Sequence, residues 1–172
     1  MKEKQKSVGL TNEELESIYK IVKAHEENAP ESNEEHYNDY SDTYEEPIKG
    51  KIIKSILSKI SSNLPEEQKE EIDKDFLRKK YSLFNGEIDE KIYAVIEKAF
   101  NQLKTIEITY FNMESAEFNK RELEVYYKSR RYVIGYCHLR KEIRKFRTSK
   151  IASAKLTKAN YKIPEGFDKN KY

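Results

Sequence analysis

The chain has 172 residues, 37% of them charged and 37% hydrophobic, with a net charge of +2. That supplies one modest core and leaves part of the length to solvated segments. No run of about 18 apolar residues exists to cross a bilayer, and the charged start, Met-Lys-Glu-Lys-Gln-Lys, has no apolar stretch behind it to act as an export signal. The lone cysteine, Cys137, cannot close an internal bridge, so a reducing cytoplasm is the expected compartment.

Charge is unevenly distributed. Residues 11–50 hold twelve Asp and Glu against three Lys, whereas residues 119–158 hold thirteen Lys and Arg against three Glu. Such polarity points to a basic surface that meets a polyanion, with an acidic segment that avoids or competes with it. An acidic linker beside a solvated basic face is the plainer account.

Residues 1–103 read as a helical N-terminal region. Thr11 and Glu14 match a capping box, and Leu15, Ile18, Tyr19 and Val22 recur at helical spacing. An acidic linker, about 28–46, carries Tyr37, Tyr40 and Tyr44 without any period. Pro47 suits the first turn of a second helix, whose Ile48, Ile52, Ile56 and Ile60 form a packing stripe widened by Ile53 and Leu57. Asn63-Leu64-Pro65 ends it. Glu66 to Asp75 reads as a short exposed helix, Phe76 to Phe84 fits either a strand or more helix, and Asn85-Gly86 is a turn. Asp89 starts a helix to about Leu103, with Ile92, Val95, Ile96, Ala99, Phe100 and Leu103 inward.

The period then changes to two. Thr105 to Phe111, Arg121 to Lys128, Tyr132 to His138, Ile143 to Thr148 and Ile151 to Leu156 read as five short strands. This predicts an α+β chain: N-terminal helices, then a small five-stranded barrel over 104–167, closed or nearly so. Residues 168–172 read as a polar tail.

The third and fourth strands carry the strongest functional signal. Tyr132, Tyr136 and His138 share a strand face by parity, as do Arg144 and Phe146 on the next strand, with Arg147 opposite. Arginine forms forked bonds to phosphate, and aromatic faces stack bases. Hairpin register decides which sets meet, because a one-residue slip exchanges faces. We expect Arg144 beside Tyr136, with Ile134 and Phe146 towards the core.

Catalytic patterns are missing. His25, His36 and His138 have no metal-ligand spacing, no Ser sits in a nucleophile elbow, and no Gly-rich loop exists among five Gly residues. Cys137 and His138 should point to opposite faces. Binding without catalytic residues, metal or cofactor is the expectation.

The runs Gly135-Tyr136-Cys137-His138-Leu139-Arg140, Arg144-Lys145-Phe146-Arg147 and Ile151 resemble the WYL domain of bacterial transcription regulators. Ile108-Thr109-Tyr110 and Arg121-Glu122-Leu123 fit the preceding strands of that family. Arg131-Tyr132-Val133 stands where a Trp-Tyr-Leu-like triplet is usual, and Val125 where proline is common. The resemblance implies an Sm-like, SH3-type barrel. It also implies a surface pocket for nucleic acid or a nucleotide-like ligand, formed by Tyr132, His138, Arg140, Arg144 and Arg147, with Arg121 added. Such regulators usually begin with a winged helix-turn-helix, and this sequence starts at the helix that would follow it, so either it is a piece of a longer chain or it senses a ligand and passes the signal to a partner. The expected partners are therefore single-stranded nucleic acid or a nucleotide-like ligand, together with a second copy or a DNA-binding protein. The rival is a dimerisation module that uses the stripe of Ile52, Ile56 and Ile60.

Overall fold

The structure, a computed structural model, describes residues 9–28, 48–82 and 88–172. The expected linker with Tyr37, Tyr40, Tyr44 and His36, the helix-starting Pro47, Phe84 and the Asn85-Gly86 turn lie outside the described residues. The chain divides into two compact units, 1–76 and 77–172.

In the first unit, α1 spans Asn12–Asn28, α2 Gly50–Ser61, and α3 begins at Glu66. The capping box forms as its residue types dictate. The Thr11 backbone N–H donates to Glu14 Oε2 at 2.7 Å, and the Glu14 N–H donates to Thr11 Oγ1 at 3.3 Å. Tyr19, Ile60, Leu64 and Ile72 make the core of this unit, with Leu15, Ile18, Ile56, Leu57 and Phe76 against it. Asp73 ties α3 to α1, accepting from Tyr19 Oη at 2.9 Å and from Lys23 Nζ at 2.5 Å. The expected isoleucine stripe is only partly a packing face. Ile48 precedes α2 and is 52% exposed, Ile52 on the helix is 50% exposed, and Ile60 is buried.

α3 continues to Ser82, so Phe76 to Ser82 is helix and not strand, and the short helix expected over 66–75 is 17 residues long. The second unit starts within it. α4, Glu90–Gln102, is capped by Asp89, whose carboxylate accepts from the Lys91 and Ile92 N–H groups. Leu103 does not join its inward face. It is 40% exposed and ends the helix in the left-handed conformation, with φ 49°.

The strands are β1, Lys104–Asn112; β2, Glu117–Lys128; β3, Tyr132–Cys137; β4, Glu142–Arg147; and β5, Ile151–Asn160. All neighbouring pairs are antiparallel, in the order β4-β3-β2-β1-β5. Ile106 and Ile108 of β1, Leu123 and Val125 of β2, Val133 and Cys137 of β3, and Phe146 of β4 bury one face of the sheet against Ile96 and Ala99 of α4. Cys137 is a buried free thiol within this core.

Register shifts place extra residues on β5, against β1, and on β2, against β3, and such bulges bend the sheet. β4 leads to β5 through one turn of 3-10 helix, Thr148–Lys150. The buried Thr148 anchors that turn, donating from its N–H to Arg131 O at 3.2 Å and from its hydroxyl to Arg130 O. β4 and β5 do not pair with each other, so the sheet is open at its hydrogen bonds. A single 3-10 turn changes the chain's direction between them without adding a ladder, which is where the pattern departs from full barrel closure.

The segment after β5 packs on the sheet. Tyr161 is buried, with its hydroxyl donating to Val125 O. Phe167 meets Tyr126 edge-on at 5.4 Å, and Tyr172 stacks on Phe167 at 6.1 Å. The residues expected as a polar tail include a 3-10 turn, Lys169–Lys171, and Lys169 Nζ lies 4.8 Å from the centre of the Tyr127 ring.

Candidate functional site

Strand parity explains where the arginines go. On β2, Arg121, Leu123 and Val125 point the same way, and the last two are fully buried. On β4, Arg144 stands in the same relation to the buried Phe146. Both arginines therefore lie where the core face reaches its open end. Arg140, from the β3–β4 turn, and Lys150, from the 3-10 turn, complete the rim with Lys145.

These five cations surround a cavity of about 410 Å³, whose apolar lining includes Tyr110, Phe111 and Phe146. Tyr110 meets Phe146 edge-on at 5.2 Å. The Tyr110 hydroxyl accepts from the Arg147 N–H at 3.4 Å, and burial raises its pKa. Glu114 is the one carboxylate in the lining. Burial, and then the neighbouring Arg147 charge, hold the Lys150 ammonium below its usual pKa. Arg121 donates to Lys120 O at 2.9 Å, and Arg144 lies 3.4 Å from Glu142 Oε1 in an exposed ion pair. The arrangement suits an anion bearing a flat, apolar part: guanidinium groups bind phosphate or carboxylate, and ring edges line the wall.

The expected single pocket is divided. The β3–β4 register pairs Arg144 with Gly135, whereas Tyr136 pairs with Ile143 and Tyr132 with Arg147. Arg144 is thus not beside Tyr136, a correction of the expected register. Phe146 does enter the core, opposite Val133, but Ile134 is buried on the other face. The β3–β4 ladder runs without a shift from Tyr132↔Arg147 to Cys137↔Glu142, so the turn joining the strands sets this register, and the turn is not visible as a hydrophobic pattern.

Of the residues singled out from the sequence, Arg121, Arg140 and Arg144 line the basic cavity. Tyr136 and His138 lie on the opposite face, their rings edge-on at 5.3 Å. His138 Nε2 is 3.2 Å from Glu124 Oε1. Tyr132 is half-buried, with Arg131 and Lys145 over its ring at 5.4 and 4.8 Å. Arg147 contacts Tyr110 through its backbone but is not among the cavity-lining residues. Sequence reasoning missed Tyr110, Lys145 and Lys150 as site residues. Tyr110 was detectable, since it continues the inward alternation of Ile106 and Ile108. Lys150 sits in a 3-10 turn, where no strand parity applies.

Residues 91–156 match the model of the WYL domain. No curated protein matches the chain. Among solved structures, the chain is similar to proteasome accessory factor B/C (PafBC) of Arthrobacter aurescens. The identity is 16% and the TM-score 0.38, over 89% of this chain and 21% of that one. The chain thus spans about a fifth of that protein's length.

Proposed function

We propose that the chain, whose residues 91–156 match the model of the WYL domain, is a ligand-sensing regulatory module that binds single-stranded nucleic acid or a nucleotide-like anion. The observation that carries this reading is the grouping of Arg121, Arg140, Arg144, Lys145 and Lys150 around one cavity with Tyr110 and Phe146. Arg121, Arg140, Arg144 and Lys150 against one carboxylate favour a phosphate-bearing guest, and the rings supply a surface for a base. Binding rather than catalysis is part of the proposal. We assign the strand order and the 3-10 turn before β5 to an Sm-like, SH3-type barrel class. We place the module in the cytoplasm, acting through a DNA-binding partner or a second copy. Among the described residues, no helix is long and apolar enough to cross a membrane.

The reading departs from the sequence expectation in leaving out Tyr132, Tyr136, His138 and Arg147, none of which lines the cavity. The test is titration of the full chain with a short oligothymidylate and with a nucleoside triphosphate, each at two salt concentrations. Phosphate-driven affinity falls steeply as salt rises. Arg121→Ala and Arg144→Ala weaken it, and Tyr136→Ala does not. Affinity indifferent to salt and to both arginines would remove the proposal.

A second reading, helix-mediated dimerisation, has the exposure of Ile48 and Ile52 in its favour. Ile52→Asp is its probe, because Ile56 and Ile60 pack within their own unit. Loss of self-association in that variant, with no oligonucleotide affinity in either form, would favour dimerisation over ligand sensing.

A further inference from the structure

The basic cavity has a charge balance that selects among phosphates. Arg121 from β2, Arg140 from the β3–β4 turn, Arg144 from β4 and Lys150 from the 3-10 turn line it, and Glu114 is the carboxylate among the lining residues. Arg144 also pairs at 3.4 Å with Glu142, which lies outside the lining. Lys145 reaches the lining, but its ammonium is engaged by Tyr172 O and the Tyr132 ring. Setting the two carboxylates against the four cations leaves two positive charges in excess. An internal phosphodiester carries about one negative charge, whereas a terminal phosphomonoester carries about 1.5 to 2 at pH 7. Resting on the reading of this cavity as an anion sensor, we propose that its ligand is a terminal phosphomonoester on a single nucleotide, free or at the end of a strand, and not an internal phosphodiester.

Three further observations favour a terminal group. The cavity holds about 410 Å³, near the lower end of small-molecule sites, which is room for a nucleotide and not for a run of them. The four cations come from four different stretches of chain and meet at one volume, so they can enclose a single group from several sides. A phosphomonoester offers three terminal oxygens to such a ring, and guanidinium groups take them in pairs. Lys150 is the third observation. Burial, and then the Arg147 charge, hold its ammonium below its usual pKa, so positive charge at this wall is under-compensated. The second negative charge of a monoester offsets it. Tyr110 and Phe146, edge-on at 5.2 Å, leave a ring-lined wall for the one base attached.

The full chain is titrated calorimetrically at one low ionic strength with tetrathymidylate bearing a phosphate at its 5′ end, at its 3′ end or at neither, and with hexathymidylate. The hexamer adds two diester charges to the plain tetramer, so it matches the extra charge without a monoester. A phosphorylated tetramer is expected to bind at least about tenfold more tightly than either, because the added contacts are charge-assisted. Thymidine 5′-monophosphate set against its methyl ester shows the same ratio when a free nucleotide is the ligand, and no preference when a strand end is required. Lys150→Met and Arg121→Ala each narrow the tetramer preference, and Tyr136→Ala leaves it intact. Hexamer affinity equal to that of the phosphorylated tetramers would overturn the proposal and leave anion sensing in place. Absence of saturable binding by every probe would remove both. A preference untouched by Lys150→Met and by Arg121→Ala would also overturn it, since the phosphate would then sit outside this cavity.

Discussion

Arg144 sits across the β3–β4 ladder from Gly135, and Gly135 presses against the backbone of β2. A methyl group added at Gly135 would lie 1.9 Å from the Glu124 carbonyl oxygen and 3.2 Å from the Val125 Cα. The neighbouring atoms are backbone and cannot rotate away. Gly135→Ala is therefore expected to lower stability by about 3 kcal/mol, the upper end of typical overpacking costs. The check is the urea midpoint, and a midpoint within error of the parent protein would contradict the close approach of β2 and β3.

The divided site makes an ordered prediction for anion binding. Arg121→Ala should reduce the slope of log affinity against log salt by about one when that guanidinium meets a phosphate. Tyr132→Ala and Tyr136→Ala should leave the slope alone, because neither residue lines the basic cavity. Equal losses from both classes would mean that the ligand bridges both faces of the sheet.

Lys150 should show opposed effects on stability and binding. Its folded pKa is depressed by burial and by Arg147, so folding disfavours its charged form. The cost is present at neutral pH and is relieved only as pH rises through the folded and then the unfolded value. Lys150→Met should therefore melt at higher temperature at pH 7 and bind nucleotide more weakly. Thermal melts with and without ligand read both effects.

Tyr161 links the C-terminal segment to β2. Burial pushes its phenol up to about 12, above the unfolded value of about 10. The folded state therefore holds this proton more tightly. The associated stability is complete below about pH 10 and is lost as pH rises towards 12. Tyr19 and Tyr126 are also raised, by burial first and then by hydrogen bonds to Asp73 and Glu124, and act in the same direction. Tyr161→Phe should cost about 1 kcal/mol at neutral pH by removing the bond to Val125 O. It should also shallow the alkaline decline. Denaturant midpoints from pH 8 to 11 measure both.

Lys145 lines the basic cavity, and its ammonium donates to Tyr172 O at 2.6 Å. That ammonium also lies over the Tyr132 ring at 4.8 Å, so it is engaged by the C-terminal segment and that ring. Lys145→Met should speed limited proteolysis within 161–172. Cleavage unaffected by the substitution would show that the contact does not seat the segment.

Much of the fold was legible because its signals are local. Alternation around Ile106 and Ile108 marked β1, and both residues are fully buried. The spacing of Ile96 and Ala99 marked the inward face of α4. Thr11 with Glu14, and Asp89, marked helix starts through their capping chemistry. Less was legible where geometry is set by a partner strand. Arg144 was singled out from the sequence and lines the basic cavity, but its neighbours depend on a ladder register that the residue pattern does not encode. The extent of α3 was obscured by its charge-rich composition. Tyr161 sits among polar residues, and only the carbonyl left accessible at Val125 gives it a buried partner.

The open ends of the sheet have a consequence for self-association through strand addition. β4 presents Glu142, Arg144, Lys145 and Arg147, and β5 presents Lys155 and Lys158. Joining the β5 border of one copy to the β4 border of another would crowd ammonium and guanidinium groups along the new seam. Such charges are a common guard against runaway ladder growth. Only a polyanion lying along that seam would cancel the repulsion, so strand addition between bare copies is disfavoured.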